Sequence, residues 1–196
     1  MKKYELTTET KLWLGKTLYR IRALVAFGDV DAGELGGWIE KEANLDQSGN
    51  AWVSGDAQVY DNARVYGNAW VSGDAWVSGD AQVYGNARVS GDAWVYGDAQ
   101  VYGNARVSGD AEILKNTHYI CIGAIGSRDG FTTFFRTKDK QIFVCCGRFE
   151  GDINEFVEAV KKTHSGTKHE KTYMLAVELA KAQIEDVENG GSDDGK

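Results

Sequence analysis

From Gly49 to Leu114 the sequence repeats every six residues without interruption, in eleven hexads such as GNAWVS and GDAQVY. Each hexad carries an alanine and, two residues later, a valine (an isoleucine in the last). On an extended strand both side chains point to one side and the residue between them points to the other. The following glycine with asparagine or aspartate can adopt the left-handed backbone conformations that a sharp corner needs. The repeat therefore predicts a coil of short strands separated by tight corners.

Residues 18 positions apart are more alike than residues 6 or 12 apart, which indicates that three hexads make one turn. Four columns show this spacing: Asn50, Asn68, Asn86 and Asn104; Asp56, Asp74, Asp92 and Asp110; Ser54, Ser72, Ser90 and Ser108; and Tyr66, Tyr84 and Tyr102. We expect a triangular prism with alanine and valine inside. Like residues would then stack about 4.8 Å apart along each edge.

The hexads resemble the hexapeptide-repeat proteins with a left-handed parallel β-helix, whose motif spaces an aliphatic and a small residue four apart, as Val53 and Ala57 are. This resemblance implies a left-handed coil. The upstream segments LYRIRAL (18–24) and GGWIEKEANL (36–45) are similar to phage and prophage proteins in which such a leader precedes the repeats and a small α+β domain follows. The leader is two residues out of register with the hexads, so we expect a two-residue insertion at 46–48.

After residue 114 the pattern changes to longer alternating segments and then to helical periodicity. Strands are predicted at 119–125, 132–137 and 141–146. Two helices are predicted to follow, with capping boxes at Asp152/Glu155 and Thr167/Glu170 and with Gly166 ending the first.

We therefore expect a mainly β protein with four parts. Residues 1–42 would form leader strands and the first coil or coils. A left-handed parallel β-helix, with 18 residues per three-sided coil, would occupy 43–114. A small α+β domain of antiparallel strands plus two helices would occupy 115–186, and 187–196 would be a disordered tail.

Composition narrows the classes of partner and compartment. The net charge is −7, and residues 43–114 carry three arginines against nine acidic residues, which makes binding to nucleic acid or to an anionic membrane unexpected. No apolar run approaches the ~18 residues of a membrane span, and no hydrophobic signal segment is evident. Three cysteines are too few for a disulfide framework. We expect a cytoplasmic protein, in the host cytoplasm if a phage encodes it.

Catalysis is not expected, although the resemblance makes acyltransferase the first enzymatic hypothesis. Those relatives use a coil histidine as a base, and here the three histidines, His118, His164 and His169, lie beyond the last hexad. The same lack argues against a zinc site of three coil histidines. Calcium at the aspartate column and zinc at the C-terminal cysteines and histidines are minor alternatives, because one carboxylate per corner is few and adjacent cysteines on a strand point apart. We predict no catalytic residues, no metal and no cofactor.

The outward residues of the coils are the first candidate for binding. They form three columns: Trp52, Trp70, Arg88 and Arg106; Gln58, Trp76, Trp94 and Glu112; and Arg64, Gln82 and Gln100. Tyr66, Tyr84 and Tyr102 stack at a corner. Tryptophan and arginine are frequent in protein interfaces, and stacked indoles can also hold a planar ligand. The alternative is that the ladders stabilise the coil itself, each pair contributing roughly 0.2–1 kcal/mol.

The second candidate lies in the C-terminal domain, where Arg128, Arg148, His164, His169 and Tyr173 could bind a phosphate or carboxylate. Three functions follow as hypotheses. The first is a binding or scaffold protein that self-associates as a trimer or dimer and recognises a host protein, in a setting that counters host defence. The second is capture of a small nucleotide-like ligand by stacking and by arginine, and the third is an acyltransferase-like enzyme.

Overall fold

The computed structural model describes residues 2–187, and its first element is a hairpin of β1 (Tyr4–Trp13) and β2 (Lys16–Ala23). Strand β3 (Leu35–Ile39) pairs with β2 in the antiparallel sense and with the solenoid strand β5 (Gln58–Val59) in the parallel sense. The leader therefore extends one face of the solenoid as a continuous sheet.

The hexads form short parallel strands, and every pair of stacked strands within them is offset by 18 residues, as predicted. The strands are β4 (Trp52–Val53), β5 (Gln58–Val59), β6 (Arg64–Val65), β7 (Trp70–Val71), β8 (Trp76–Val77), β9 (Gln82–Val83), β10 (Arg88–Val89), β11 (Trp94–Val95), β12 (Gln100–Val101), β13 (Arg106–Val107) and β14 (Glu112–Ile113). They make three faces, with strand orders β4-β7-β10-β13, β5-β8-β11-β14 and β6-β9-β12. The three-sided solenoid is thus confirmed, whereas its left-handed sense stays an expectation from the resemblance.

The predicted insertion shows in the pairing distance along the chain. Trp38 pairs with Gln58 and Leu45 bridges to Val65, both 20 residues apart, whereas Trp52 pairs with Trp70. The two extra residues therefore lie between Leu45 and Trp52. There the Asp46 carboxylate accepts a hydrogen bond from the Ser48 amide at 3.0 Å.

The core is narrow and uniform, because the alanine and valine of every hexad are buried and almost fully inaccessible to solvent. Corners of successive coils are joined by backbone hydrogen bonds, as from Asp74 N–H to Gly91 O at 3.0 Å. The corner glycines have φ between +59° and +72°. Asp61 occupies the one corner of the hexads without glycine and adopts φ +58°.

The C-terminal domain is a four-stranded antiparallel meander followed by two helices. Its elements are β15 (Tyr119–Ile125), β16 (Gly130–Arg136), β17 (Ile142–Cys146), β18 (Phe149–Asp152), α1 (Ile153–His164) and α2 (Lys168–Gln183), and 3-10 turns at Glu42–Asn44 and Asn116–His118 complete the structure. Strand β18 was not predicted. The Asp152/Glu155 capping box is present in full, whereas the Glu170 side chain binds Gly166 N–H and leaves only the Thr167 half of the second.

One face of the C-terminal sheet closes the end of the solenoid and the other packs on the helices. Phe135 and Cys145 belong to the solenoid core, and Phe134 and Val144 belong to the helical core. Adjacent cysteines thus point apart, as predicted: Cys145 is buried beside Ser108, and Cys146 lies on the helix side.

Side chains outside the repeats occupy backbone amides of the last coil. Asn116 accepts from Gln100 N–H at 2.8 Å, the Tyr119 hydroxyl from Tyr102 N–H at 3.3 Å, and Thr133 from Arg106 N–H at 3.0 Å. These contacts occupy backbone N–H groups at the exposed edge of the last coil, which could otherwise pair with a strand of another chain.

Within residues 2–187, neither helix has the length and apolarity needed to cross a bilayer. From residue 188 onward, the predicted tail lies outside the described residues.

Candidate functional site

The first outward column is ordered as predicted, since Trp52, Trp70, Arg88 and Arg106 pair in register on β4, β7, β10 and β13. Trp52, however, has 0% of its surface exposed. The rings of Tyr4 and Phe27 pack edge-on against it, with centroids 6.4 and 5.4 Å away. The prediction that Trp52 belongs to an exposed binding column is therefore corrected, because the leader of the same chain covers it.

The second column is also largely covered by the chain itself. Trp76 stacks on Trp94 with centroids 5.0 Å apart, and the Trp13 ring of the leader hairpin lies edge-on against Trp76 at 4.7 Å. The Lys138 ammonium lies 4.1 Å from the Trp94 centroid. At the end of the column Glu112 forms an ion pair with Arg136. Although burial acts to raise it, hydrogen bonds from Arg136 and Tyr96 hold the pKa of Glu112 below its usual value.

The three tyrosines at one corner stack into a ladder. Such a ladder stabilises the coil itself, which is the alternative to a binding interface. Tyr66 stacks on Tyr84 at 4.8 Å and Tyr84 on Tyr102 at 5.3 Å. The hydroxyls of the first two donate to Gln82 and Gln100 on the neighbouring column. These contacts stabilise the stacking of the coils, and Tyr102, 50% exposed, is the most open of the three.

What remains of the first column lines a cleft of about 980 Å³ between the solenoid and the C-terminal domain. The solenoid wall contributes Trp70, Arg88 and Arg106, together with the asparagine column at the adjoining corner. The asparagines are linked side chain to side chain, with Asn68 donating to Asn86 at 3.2 Å and Asn86 to Asn104 at 3.0 Å. One wall of the cleft is therefore a regular polar and cationic surface.

The C-terminal wall brings together four of the five residues predicted there. Arg128 lies in the β15–β16 turn, Arg148 in the β17–β18 turn, His164 ends α1 and Tyr173 lies on α2, and all four line the cleft. Both turns lie at the same end of the meander, because successive hairpins alternate ends. His169 is not among the lining residues, although its ring is 5.8 Å from that of His164.

One contact joins the two walls, and a second holds the C-terminal wall together. The Arg106 guanidinium donates to the carbonyl of Gly147, in the β17–β18 turn, at 3.1 Å. In the β15–β16 turn, a Cβ atom added to Gly126 would lie 1.8 Å from the Tyr173 hydroxyl, so this turn packs directly on α2. Burial raises the pKa of Tyr173 to about 12, against the opposing effect of Arg128. The hydroxyl is therefore neutral at physiological pH.

The charges of the cleft are unbalanced in favour of cations. Arg88, Arg106, Arg128 and Arg148 are all exposed, and among residues 2–187 none has a carboxylate oxygen within 4.0 Å. Asp29 is the acidic residue on the cleft wall, while Glu34 and Glu150 line a smaller depression of about 390 Å³ that shares Asp29, Arg88 and Arg106 with the cleft. In a chain of net charge −7, four arginines without a carboxylate partner give this cleft a local excess of positive charge.

Metal ligands are not clustered among the described residues of the cleft, and two other titratable side chains, His118 and Cys145, lie away from it. In the described part of the chain, no three histidine, cysteine or acidic side chains come close enough together to hold a metal ion. His118 is buried, with Nδ1 accepting from Leu114 N–H at 3.3 Å and Nε2 3.2 Å from Asp186. Burial raises the pKa of the Cys145 thiol, which faces the solenoid core.

Sequence reasoning missed two features of the cleft. The sequence pattern indicates only a corner for the asparagine column and indicates no role for the aromatic residues Phe131 and Phe149. Phe131 is 43% exposed and follows the glycine at the start of β16. The signal in the sequence is the position of Phe131 three residues after Arg128, next to a segment that contains two glycines.

Comparison with known proteins supports the repeat architecture. A family model described as the YdcK beta solenoid repeat matches residues 57–73, 63–79, 81–97 and 99–112. These stretches all lie within the hexads, so the similarity concerns the solenoid and does not extend to the leader or the C-terminal domain. No curated protein matches the chain. The protein is thus similar to β-solenoid repeat proteins over its coils, a fold consistent with a non-enzymatic scaffold or binding role.

Proposed function

We propose that the protein is a binding protein that captures a small phosphate-bearing, nucleotide-like ligand in the cleft between the solenoid and the C-terminal domain. The observation that carries the proposal is the set of four arginines, two from each wall, that have no carboxylate partner in the described chain. On the solenoid wall, next to Arg88, Trp70 supplies an aromatic surface for a planar ring.

The charge arrangement supports a small ligand over a polyanion. Seven of the nine acidic residues in 43–114 are aspartates at two of the three corners of the solenoid, so a long nucleic acid would meet repulsion outside the cleft. Inside the cleft, guanidinium groups can bind phosphate through two parallel hydrogen bonds. A compact anion gains from this local excess of positive charge without crossing the acidic corners.

Recognition of a host protein through the outward columns was the first hypothesis from the sequence. Less of these columns is exposed than this hypothesis expects, because the leader covers Trp52 and contacts Trp76, and Lys138 lies over Trp94. Self-association, a phage origin and a role against host defence stay predictions. The acyltransferase alternative would require turnover of an acyl-coenzyme A thioester, which simple binding does not.

The test is calorimetric titration of the full chain with inorganic phosphate, pyrophosphate, ADP and acetyl-coenzyme A. We expect ADP to bind, and Arg88→Ala and Arg106→Ala each to weaken its binding by about tenfold to a hundredfold, since a charge-assisted hydrogen bond contributes roughly 1.5–3 kcal/mol. Arg64→Ala is the matched control, because Arg64 occupies the equivalent hexad position on another face, over Tyr66. Equal weakening by Arg64→Ala, or no binding by any phosphate compound, would refute the proposal.

A further inference from the structure

The order of side chains along the cleft carries information about the shape of its ligand. One parallel face of the solenoid carries Trp70, Arg88 and Arg106 on three successive strands, paired in register. Each of these strands is one rung of the face. Rungs are about 4.8 Å apart, so roughly 10 Å separates the Trp70 backbone from the Arg106 backbone. Along this wall an aromatic ring is followed by one guanidinium and then by a second.

Beyond Arg106 the wall continues into the C-terminal sheet. The Arg106 amide donates to the Thr133 hydroxyl at 3.0 Å, so β16 begins where the arginine rungs end. Phe131 is two residues before Thr133 on that strand and shares its solenoid-facing side. Its ring lies against Gly123, 43% exposed, at the edge of the cleft. The complete order is therefore ring, guanidinium, guanidinium, ring.

The size and the charge of the cleft agree with this order. Small-molecule pockets span about 300–1,000 Å³, and a cleft of about 980 Å³ lies at the upper end of that range. A mononucleotide would occupy one ring position and leave the other exposed. Arg128 and Arg148 on the facing wall supply cations on the second side of a central phosphate group.

On this basis, and resting on the proposed function, we infer that the ligand is a dinucleotide: two planar bases joined through phosphate, with one ring at Trp70, one at Phe131 and the phosphates between them at Arg88 and Arg106. The linked amides of Asn68, Asn86 and Asn104 run beside the arginine rungs and offer hydrogen bonds to sugar hydroxyls or base edges. Stacking of one base on an aromatic side chain changes affinity by roughly tenfold to a hundredfold, and it tolerates any base.

The experiment compares AMP, ADP, the pyrophosphate-linked dinucleotide NAD⁺ and the phosphodiester-linked dinucleotide pApA by calorimetry on the full chain. We expect at least one dinucleotide to bind tenfold or more tightly than ADP. The linkage preferred by the cleft is then read from the comparison of NAD⁺ with pApA. Trp70→Ala and Phe131→Ala should each reduce the preferred dinucleotide to about the affinity of ADP for the unmodified protein.

Tyr102→Ala is the control, since Tyr102 is an exposed aromatic residue of the same coils outside the cleft, and it should leave affinity unchanged. Thermal unfolding without ligand identifies any variant that fails to fold, and Phe131→Leu then replaces a failing Phe131→Ala. Dinucleotides that bind no more tightly than ADP would overturn the inference and leave the proposed function intact. Failure of every phosphate compound to bind would overturn both.

Discussion

The corners of the solenoid offer a matched pair of substitutions in which the backbone conformation is the same and the surroundings differ. Gly91 and Gly103 both have φ +68°. A Cβ atom at Gly91 would lie 2.7 Å from the backbone nitrogen of Gly109 in the next coil, whereas at Gly103 it would meet no atom within 4 Å. Alanine in the left-handed region costs about 1–2 kcal/mol, and this cost is common to both positions.

The contact with Gly109 adds a second cost at Gly91 alone, because a backbone atom held by the next coil cannot move aside. Overpacking of this kind costs typically about 1–3 kcal/mol. We expect Gly103→Ala to lower the free energy of unfolding by about 1–2 kcal/mol and Gly91→Ala by about 2–5 kcal/mol. Urea unfolding followed by circular dichroism measures both, and Gly103→Asn should recover part of the loss because asparagine tolerates this conformation. Equal destabilisation by the two alanine variants would refute the argument from coil spacing.

Two further predictions concern the leader. Trp52→Ala should destabilise the protein by about 3–5 kcal/mol, because it leaves a cavity beneath Tyr4 and Phe27, and a loss under 1 kcal/mol in urea unfolding would show that the leader is not packed there. Burial lowers the pKa of Lys3 to about 8, despite the opposing charge of Asp46, so between pH 8 and 10 the Lys3 side chain holds more of its proton in the unfolded chain than in the folded one. The contribution of Lys3 to stability should therefore rise with pH in that window, by at most about 1.4 kcal/mol per unit, and urea unfolding should show it as a difference in slope between the unmodified protein and Lys3→Met.

The solenoid could be predicted from the sequence because its determinants are local and repeated. Each hexad contains the residues that form one strand and one corner. Identical residues at a spacing of 18, such as Asn68 and Asn86, indicate that three hexads make one turn. The same pattern correctly ordered Trp70, Arg88 and Arg106 on one face. Periodicity carries this information without any knowledge of what covers a face.

The coverage of the solenoid faces and the cleft could not be predicted, because they depend on contacts between segments that are distant in the sequence. Trp52 is outward on its coil yet buried, since Phe27 and Tyr4 reach it from a leader that has no hexad pattern. The cleft exists only because the C-terminal sheet lies on the last coil, through contacts such as Arg106 to Gly147, 41 residues apart. Strand β18 escaped prediction because Phe149–Asp152 is short, contains glycine and does not alternate.

The two ends of the solenoid are closed by segments that do not belong to the repeat, and this makes the number of coils independent of how the ends are built. Each additional coil would insert 18 residues and move the C-terminal sheet about 4.8 Å further from Trp70. The leader and the contacts of Asn116, Tyr119 and Thr133 could stay as they are. The repeat count therefore sets the distance between Trp70 and the C-terminal sheet and, under the inference of a dinucleotide ligand, the length of the molecule that the cleft accepts.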